Sequence, residues 1–165
     1  MSTIVVTGID PGLVDTGIVS LRFEIDMCQI FIDSAVHTRA PATVIAHTAN
    51  ILHSPAHLNY IFIEGYRPRS HLNTDAKMTA LVHDLHQLMP YAKVLNNTGI
   101  KKVVKPRLLE LLKIDKFPVA THHGDLVSAS RIAVLGMLKD PNLNQLLVRV
   151  VSATLTPSPW QVTVL

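Results

Sequence analysis

Val6-Thr7-Gly8-Ile9-Asp10-Pro11-Gly12, followed at short distance by Thr16-Gly17, is the stretch from which the reading of this chain grows. The β-branched run Ile4-Val5-Val6 leads into a Pro-Gly turn, and Ile18-Val19-Ser20-Leu21 opens a second strand. Asp10 is thereby predicted at the end of a buried strand. A carboxylate there is costly unless it is paired or bound to a cation, so the position reads as metal-binding or phosphate-facing. The competing reading, a polar hairpin turn, carries equal weight on this stretch alone, because Asp-Pro-Gly is common turn chemistry.

Two further acidic positions shift that balance. Tyr60-Ile61-Phe62-Ile63 is a compact strand signal that ends in Glu64-Gly65, again a carboxylate at a strand terminus before a glycine. Downstream, Thr121-His122-His123-Gly124-Asp125 precedes the mostly apolar helix Leu126 to Leu135. In helical geometry His122 and Asp125 share one face while His123 points elsewhere. Taken singly, Glu64 reads as a strand-end charge and Asp125 as a helix cap. The set of three is harder to explain that way.

These residues resemble the RuvC-type Holliday junction resolvases of the ribonuclease H-like superfamily. The resemblance rests on Gly8-Ile9-Asp10-Pro11-Gly12 with Thr16-Gly17, on Glu64 closing the fourth strand, and on His122 and Asp125 as the His-x-x-Asp pair opening the last core helix. Val104-Lys105-Pro106-Arg107-Leu108-Leu109-Glu110-Leu111-Leu112 is similar to the lysine-bearing helix that precedes this pair. The motifs span the chain from Gly8 to about Leu138, and their order and spacing carry most of the weight. The short length and terse loops fit a compact, phage-type member. Two positions depart from the pattern. Asp15 stands where the family has an apolar or neutral residue and is read as an outward strand charge rather than a spare acidic group of the site. Tyr66 is offset from the aromatic that intrudes at the junction, although it is the candidate for that role.

Composition agrees with one compact enzyme domain over residues 1–150, followed by a tail, 151–165, without a structural assignment. The 165 residues suffice for one full core, and 48% hydrophobic content is apolar enough to suggest a partner surface. No run approaches the roughly 20 apolar residues of a membrane span, and Met1-Ser2-Thr3 lacks a charged leader, so the expected location is the cytoplasm, with no membrane partner. The single cysteine, Cys28, excludes an intramolecular disulfide and reads as a buried thiol in a strand. A net charge of +3 permits a nucleic-acid partner without demanding one. The placement of the charges says more: Arg67 and Arg69 follow Glu64, and Lys101, Lys102, Lys105 and Arg107 precede His122. Basic clusters beside acidic ligands suit a phosphodiester that the carboxylates alone would repel.

The pattern predicts strands near 3–9, 16–24, 28–37, 59–64 and 92–96, with helices near 41–53, 74–89, 105–113 and 122–138. Three strands followed by alternating helix and strand is the ribonuclease H-like order, an α/β class with a mixed central sheet flanked by helices. Met78, Leu81, Leu85 and Leu88 form an apolar stripe on the second helix, read first as core and second as a dimer face, since the family dimerises through the corresponding helix.

The resemblance implies a structure-selective endodeoxyribonuclease that resolves four-way and related branched DNA junctions by paired nicking, as a homodimer. Asp10, Glu64, His122 and Asp125 would hold two Mg²⁺ ions, with Mn²⁺ as a substitute favoured by the imidazole. Lys102 or Lys105 would meet the scissile phosphate, and Tyr66, Arg67, Arg69, Lys101 and Arg107 would complete the DNA contact. Two alternatives remain open. One is an actin-like or sugar-kinase-type nucleotide-binding domain, disfavoured because such proteins need two copies of the fold. The other is a catalytically silent nucleic-acid-binding module.

Overall fold

Alternation of apolar residues along the first strands decides what each face of the sheet packs against. The computed structural model describes residues 3–52, 57–68, 73–117, 121–155 and 161–164. Strand β1 (Thr3–Asp10) pairs antiparallel with β2 (Asp15–Glu24), and β2 pairs antiparallel with β3 (Gln29–Thr38). On the other side of β1 lie β4 (Leu58–Gly65) and then β5 (Lys93–Asn96), both parallel. A short strand β6 (Gln161–Val164) adds to β3 in parallel, which gives the order β5-β4-β1-β2-β3-β6. The expected mixed sheet is present. The segment after Val151, unassigned from sequence, holds the end of a helix and this edge strand.

Each face carries its own helices. Val6, Val19, Leu21 and Phe62 pack beneath α5 (His123–Lys139) and α6 (Pro141–Leu155). Ile9, Ile18, Ile61 and Ile63 face the opposite way, toward α1 (Ala42–Ile51) and α2 (Asn73–Leu88). Two short helices, α3 (Ile100–Val103) and α4 (Pro106–Leu111), join β5 to α5 along the first face. Helix α6, not among the elements expected from sequence, buries Leu143, Leu146, Leu147 and Val150 at i, i+3, i+4, i+7. Among the described residues no helix is long and apolar enough to cross a membrane.

Helix α5 lies directly on the strands that carry the first motif. A Cβ on Gly8 would stand 2.0 Å from the Ala129 carbonyl oxygen, and one on Gly17 would stand 2.4 Å from that of Asp125. Only glycine allows backbone to approach backbone so closely, and this approach brings the start of α5 over the ends of β1 and β2.

One expectation is corrected here. Cys28 is half-buried in the turn closing β2 onto β3, with φ of 52°, and not within a strand. The chain reverses direction there and needs one residue in the left-handed region. On α2 the first reading of the stripe, core packing, holds for Leu85, which is fully buried, and Leu81 packs on the same cluster, while Met78 is half-buried and Leu88 stays 44% exposed.

Candidate metal centre and nucleic-acid cleft

Strand pairing brings the first two carboxylates together. Ile9 is the register partner of Ile63 on the parallel neighbour, so Asp10 and Glu64 emerge side by side at the ends of β1 and β4, on the face covered by α5. Burial pushes the Asp10 carboxyl up to about 9, with a hydrogen bond to Glu64 and the charges of Glu64 and Asp125 acting in the same direction. A hydrogen bond from Ser128 on α5 acts the other way. Glu64 in turn accepts a hydrogen bond from the side-chain amide of Asn97, just past β5. The Asp10 carboxyl is thus held toward its neutral form, because a buried acid beside another carboxylate loses solvation and gains repulsion on ionising. A carboxylate pair of this kind, with two further ligating side chains nearby, is a donor set suited to a hard divalent cation, whose charge displaces the proton.

The turn after Asp10 supplies a third element. The Thr16 hydroxyl accepts from the Gly12 N–H and donates to the Gly12 carbonyl, both at 3.2 Å, so the Thr of the Thr-Gly pair staples the Asp-Pro-Gly turn. Asp15 then begins β2, with the Thr38 hydroxyl donating to its Oδ1 at 2.8 Å. Its other oxygen lies 3.4 Å from His122 Nδ1, and that nitrogen is 3.7 Å from Asp125 Oδ2. One ligating atom from each of Asp15, His122 and Asp125 falls within 4.8 Å of the others. The reading of Asp15 as an outward strand charge is therefore corrected. The hairpin turns it back toward the start of α5, a consequence of the β1–β2 pairing that no local pattern reveals.

The adjacent histidines separate cleanly. His122 is the residue just before the first turn of α5 and faces the carboxylates. His123 opens the helix and turns toward the preceding loop, where its Nδ1 accepts the Phe117 N–H at 3.2 Å and its ring meets the Phe117 ring edge-on.

A cleft of about 820 Å³ opens beside Glu64 and is lined by Tyr66, Arg67, Lys101, Lys102, Ser128 and Arg131, among others. Of the cations expected at a nucleic acid, Arg67, Lys101 and Lys102 are in this cleft, whereas Lys105 and Arg107 are not among its lining residues. Lys105 precedes α4 as its cap residue, and Arg107 pairs with Glu110 one turn along the same helix at 3.1 Å. Arg69 lies outside the described residues. Tyr66 reaches the cleft, but its hydroxyl donates to the buried Asp75 of α2, which ties the ring down and does not fit a free wedge. Sequence reasoning missed Asn97, Ser128 and Arg131. The last two were accessible in principle, since Asp125, Ser128 and Arg131 recur every three residues, each the surface neighbour of the next along α5.

With this geometry in hand, one solved structure decides the architecture. RuvC from T. thermophilus in complex with a Holliday junction substrate matches with a TM-score of 0.52 at 13% identity, covering 81% of this chain and 91% of that one. The chain has the ribonuclease H-like fold. A second Thermus thermophilus RuvC structure (TM-score 0.47, 17% identity, 79% of this chain and 91% of that one) is also similar. So is the nuclease domain of the large terminase g2p from bacteriophage SPP1 with bound Mn (0.44, 10%, 80% and 85%). No protein-family model and no curated protein sequence matches the chain. Within the ribonuclease H-like fold of this chain, Asp10 and Glu64 stand on adjacent central strands, and His122 and Asp125 come from the start of the helix that crosses them.

Proposed function

We propose that this chain is a divalent-metal-dependent endonuclease that cuts branched DNA, four-way junctions foremost, and nicks opposing strands in pairs as a homodimer. The observation that carries the reading is the placing of Asp10 and Glu64 at the ends of adjacent strands, with Glu64 at the edge of a cleft lined by Arg67, Lys101 and Lys102. A site that concentrates negative charge beside a basic groove is organised for a cation and a polyanion together.

Asp10, Glu64, Asp125 and His122 would hold Mg²⁺ ions, two per site by the family resemblance, with Mn²⁺ tolerated because of the imidazole. The metal supplies an activated nucleophile and offsets charge building on the phosphate. The chain's own residues do the rest. Asn97 and Ser128 hold the carboxylates of Glu64 and Asp10 in fixed orientation. Asp15 faces the same Nδ1 of His122 as Asp125 does, so it adds a further carboxylate to the cluster that would hold the ion. Lys102 and Lys101 draw the phosphodiester into the cleft and counter the charge that develops on it. Paired nicking follows from symmetry, since one site cuts one strand and a four-way junction needs two sites related by a two-fold axis. The junction-bound state of the T. thermophilus RuvC structure supports this choice of substrate.

Labelled four-way junction, fork, linear duplex and RNA–DNA hybrid, incubated with and without Mg²⁺, test the reading. Paired nicks in the junction that vanish in EDTA are expected. Equal cleavage of linear duplex would reduce the function to a general nuclease, junction binding with no cutting in Mg²⁺ or Mn²⁺ would leave a binding module, and ATP hydrolysis would revive the nucleotide-binding alternative.

A further inference from the structure

Arg131 is the one cation of the cleft whose burial the fold does not explain. It sits on α5, three residues beyond Ser128 and six beyond Asp125, and lines the cleft with its side chain half-buried. Among the described residues its Nε is fully enclosed and meets no hydrogen-bond acceptor, and no carboxylate lies within ion-pair distance. All twelve acidic residues of the chain fall within the described stretches, so none outside them is left to serve. Arg22 offers the contrast. Its Nε is likewise enclosed, but its guanidinium lies 4.5 Å over the Phe31 ring and pairs with Glu24 at 3.3 Å, so its place in the fold is accounted for. An enclosed guanidinium donor without an acceptor costs stability, and the cost is recovered when a ligand brings the acceptor.

The direction of that ligand follows from the helix. Residues three apart are surface neighbours but each step turns by about 60°, so Asp125, Ser128 and Arg131 form an inclined row that winds from the carboxylates round to the cleft, with about 9 Å of rise between the first and last. Ile132 also lines the wall there, which lowers the local dielectric and strengthens any charged contact. A guanidinium presents parallel N–H donors that match two oxygens of a phosphate, a fit that a lysine lacks.

We propose that Arg131 binds a phosphodiester of the nucleic-acid backbone, at a phosphate flanking the one cut, and thereby sets the position of the strand relative to Asp10 and Glu64. The assignment rests on the endonuclease reading above. It makes Arg131 a positioning residue, distinct from the exposed Lys101 and Lys102, which supply charge without fixed geometry.

The test is equilibrium binding of an immobile four-way junction in Ca²⁺, which is expected to occupy the site without supporting turnover, across a salt series. It compares the native chain with Arg131→Gln and Arg131→Lys, and thermal melts of each protein accompany it. Arg131→Gln is expected to weaken binding by about 10-fold or more and to lower the salt slope by about 1. Arg131→Lys should keep the slope yet recover only part of the affinity. In Mg²⁺, Arg131→Lys should also shift the positions of the nicks, which a merely structural role would not move. Native affinity and slope in a well-folded Arg131→Gln would overturn the assignment. Should Arg131→Gln fail to fold, native affinity and unshifted nicks in Arg131→Lys would overturn it equally. Failure of the native chain to bind any branched DNA would instead sink the endonuclease reading, and this inference with it.

Discussion

Replacing Asp10 by asparagine should stabilise the metal-free protein while abolishing its cutting, and the gain should grow with pH. The native carboxyl is pushed from 3.8 up to about 9 by burial and by Glu64 and Asp125. Below about pH 4 both folded and unfolded states hold the proton, and above about 9 neither does. Between these limits the folded chain keeps a proton that the unfolded chain releases, so native stability falls as pH rises through the window. At pH 8 the full shift sets a ceiling of about 6 kcal/mol. Relaxation and water reaching the half-buried carboxyl reduce this to the order of 2 kcal/mol. The amide of the Asp10→Asn variant has no proton to lose, can donate to Glu64 as the protonated acid does, and can still accept from Ser128. Melting in EDTA between pH 5 and 9 should show the variant ahead by roughly 4–8 °C at pH 8, with the gap closing toward pH 5. Added Mg²⁺ should raise the native melting temperature and leave the variant nearly unmoved. Identical pH slopes for the two proteins, or a variant less stable than the native chain at pH 8, would refute the raised titration of Asp10.

Three further perturbations probe the same geometry. His122→Ala should remove most cutting, whereas His123→Ala should cost about 1 kcal/mol of stability through the lost Phe117 contact and leave cutting near native; paired melts and cleavage rates check this, and the reverse order would mean that His123 serves the site. Asp15→Asn should raise the Mg²⁺ concentration for half-maximal cutting by about 10-fold at nearly unchanged melting temperature, as expected for a carboxylate of the cluster around His122 and Asp125, and a metal titration that overlays the native one would remove Asp15 from the centre. Gly17→Ala forces a methyl to within 2.4 Å of the Asp125 carbonyl oxygen, so it should cost about 1–3 kcal/mol and reduce cutting beyond what the stability loss accounts for, measured by melts alongside rates at a temperature where the variant is fully folded.

Much of the site was legible before any coordinates because its elements are short and local. A β-branched run ending in Asp10, a second ending in Glu64, and the His122–Asp125 spacing are each determined by the backbone periodicities of strand and helix, whereas sequence favoured His122 over His123 without deciding between them. The alternation that puts Gly8 and Phe62 beneath α5 also puts Asp10 and Glu64 on that face, where the charge of Asp125 acts on Asp10. Lys105 and Arg107 illustrate the limit of that reading. They look equivalent to Lys101 and Lys102 along the chain, but the short helix α4 carries them away from the lining of the cleft.

What only the tertiary structure decided are the pairings between residues far apart in sequence or hidden by their surroundings. Asp15 meets His122 across more than a hundred positions, through a hairpin whose register depends on β1 pairing with β2 along its length. Asn97 reaches Glu64 because β5 adds in parallel to β4, and the short β6 finds β3 only once that edge exists. Arg131 lay unmarked inside an apolar helix, since periodicity reports which face is buried but not whether a buried donor has found an acceptor. Sequence determined the elements and the residue types at their ends, because those depend on neighbours within a few positions. The sheet order and the approach of α5 to Gly8 and Gly17 determined which of those ends share a site, because contacts made across the fold depend on the packing of all the elements at once.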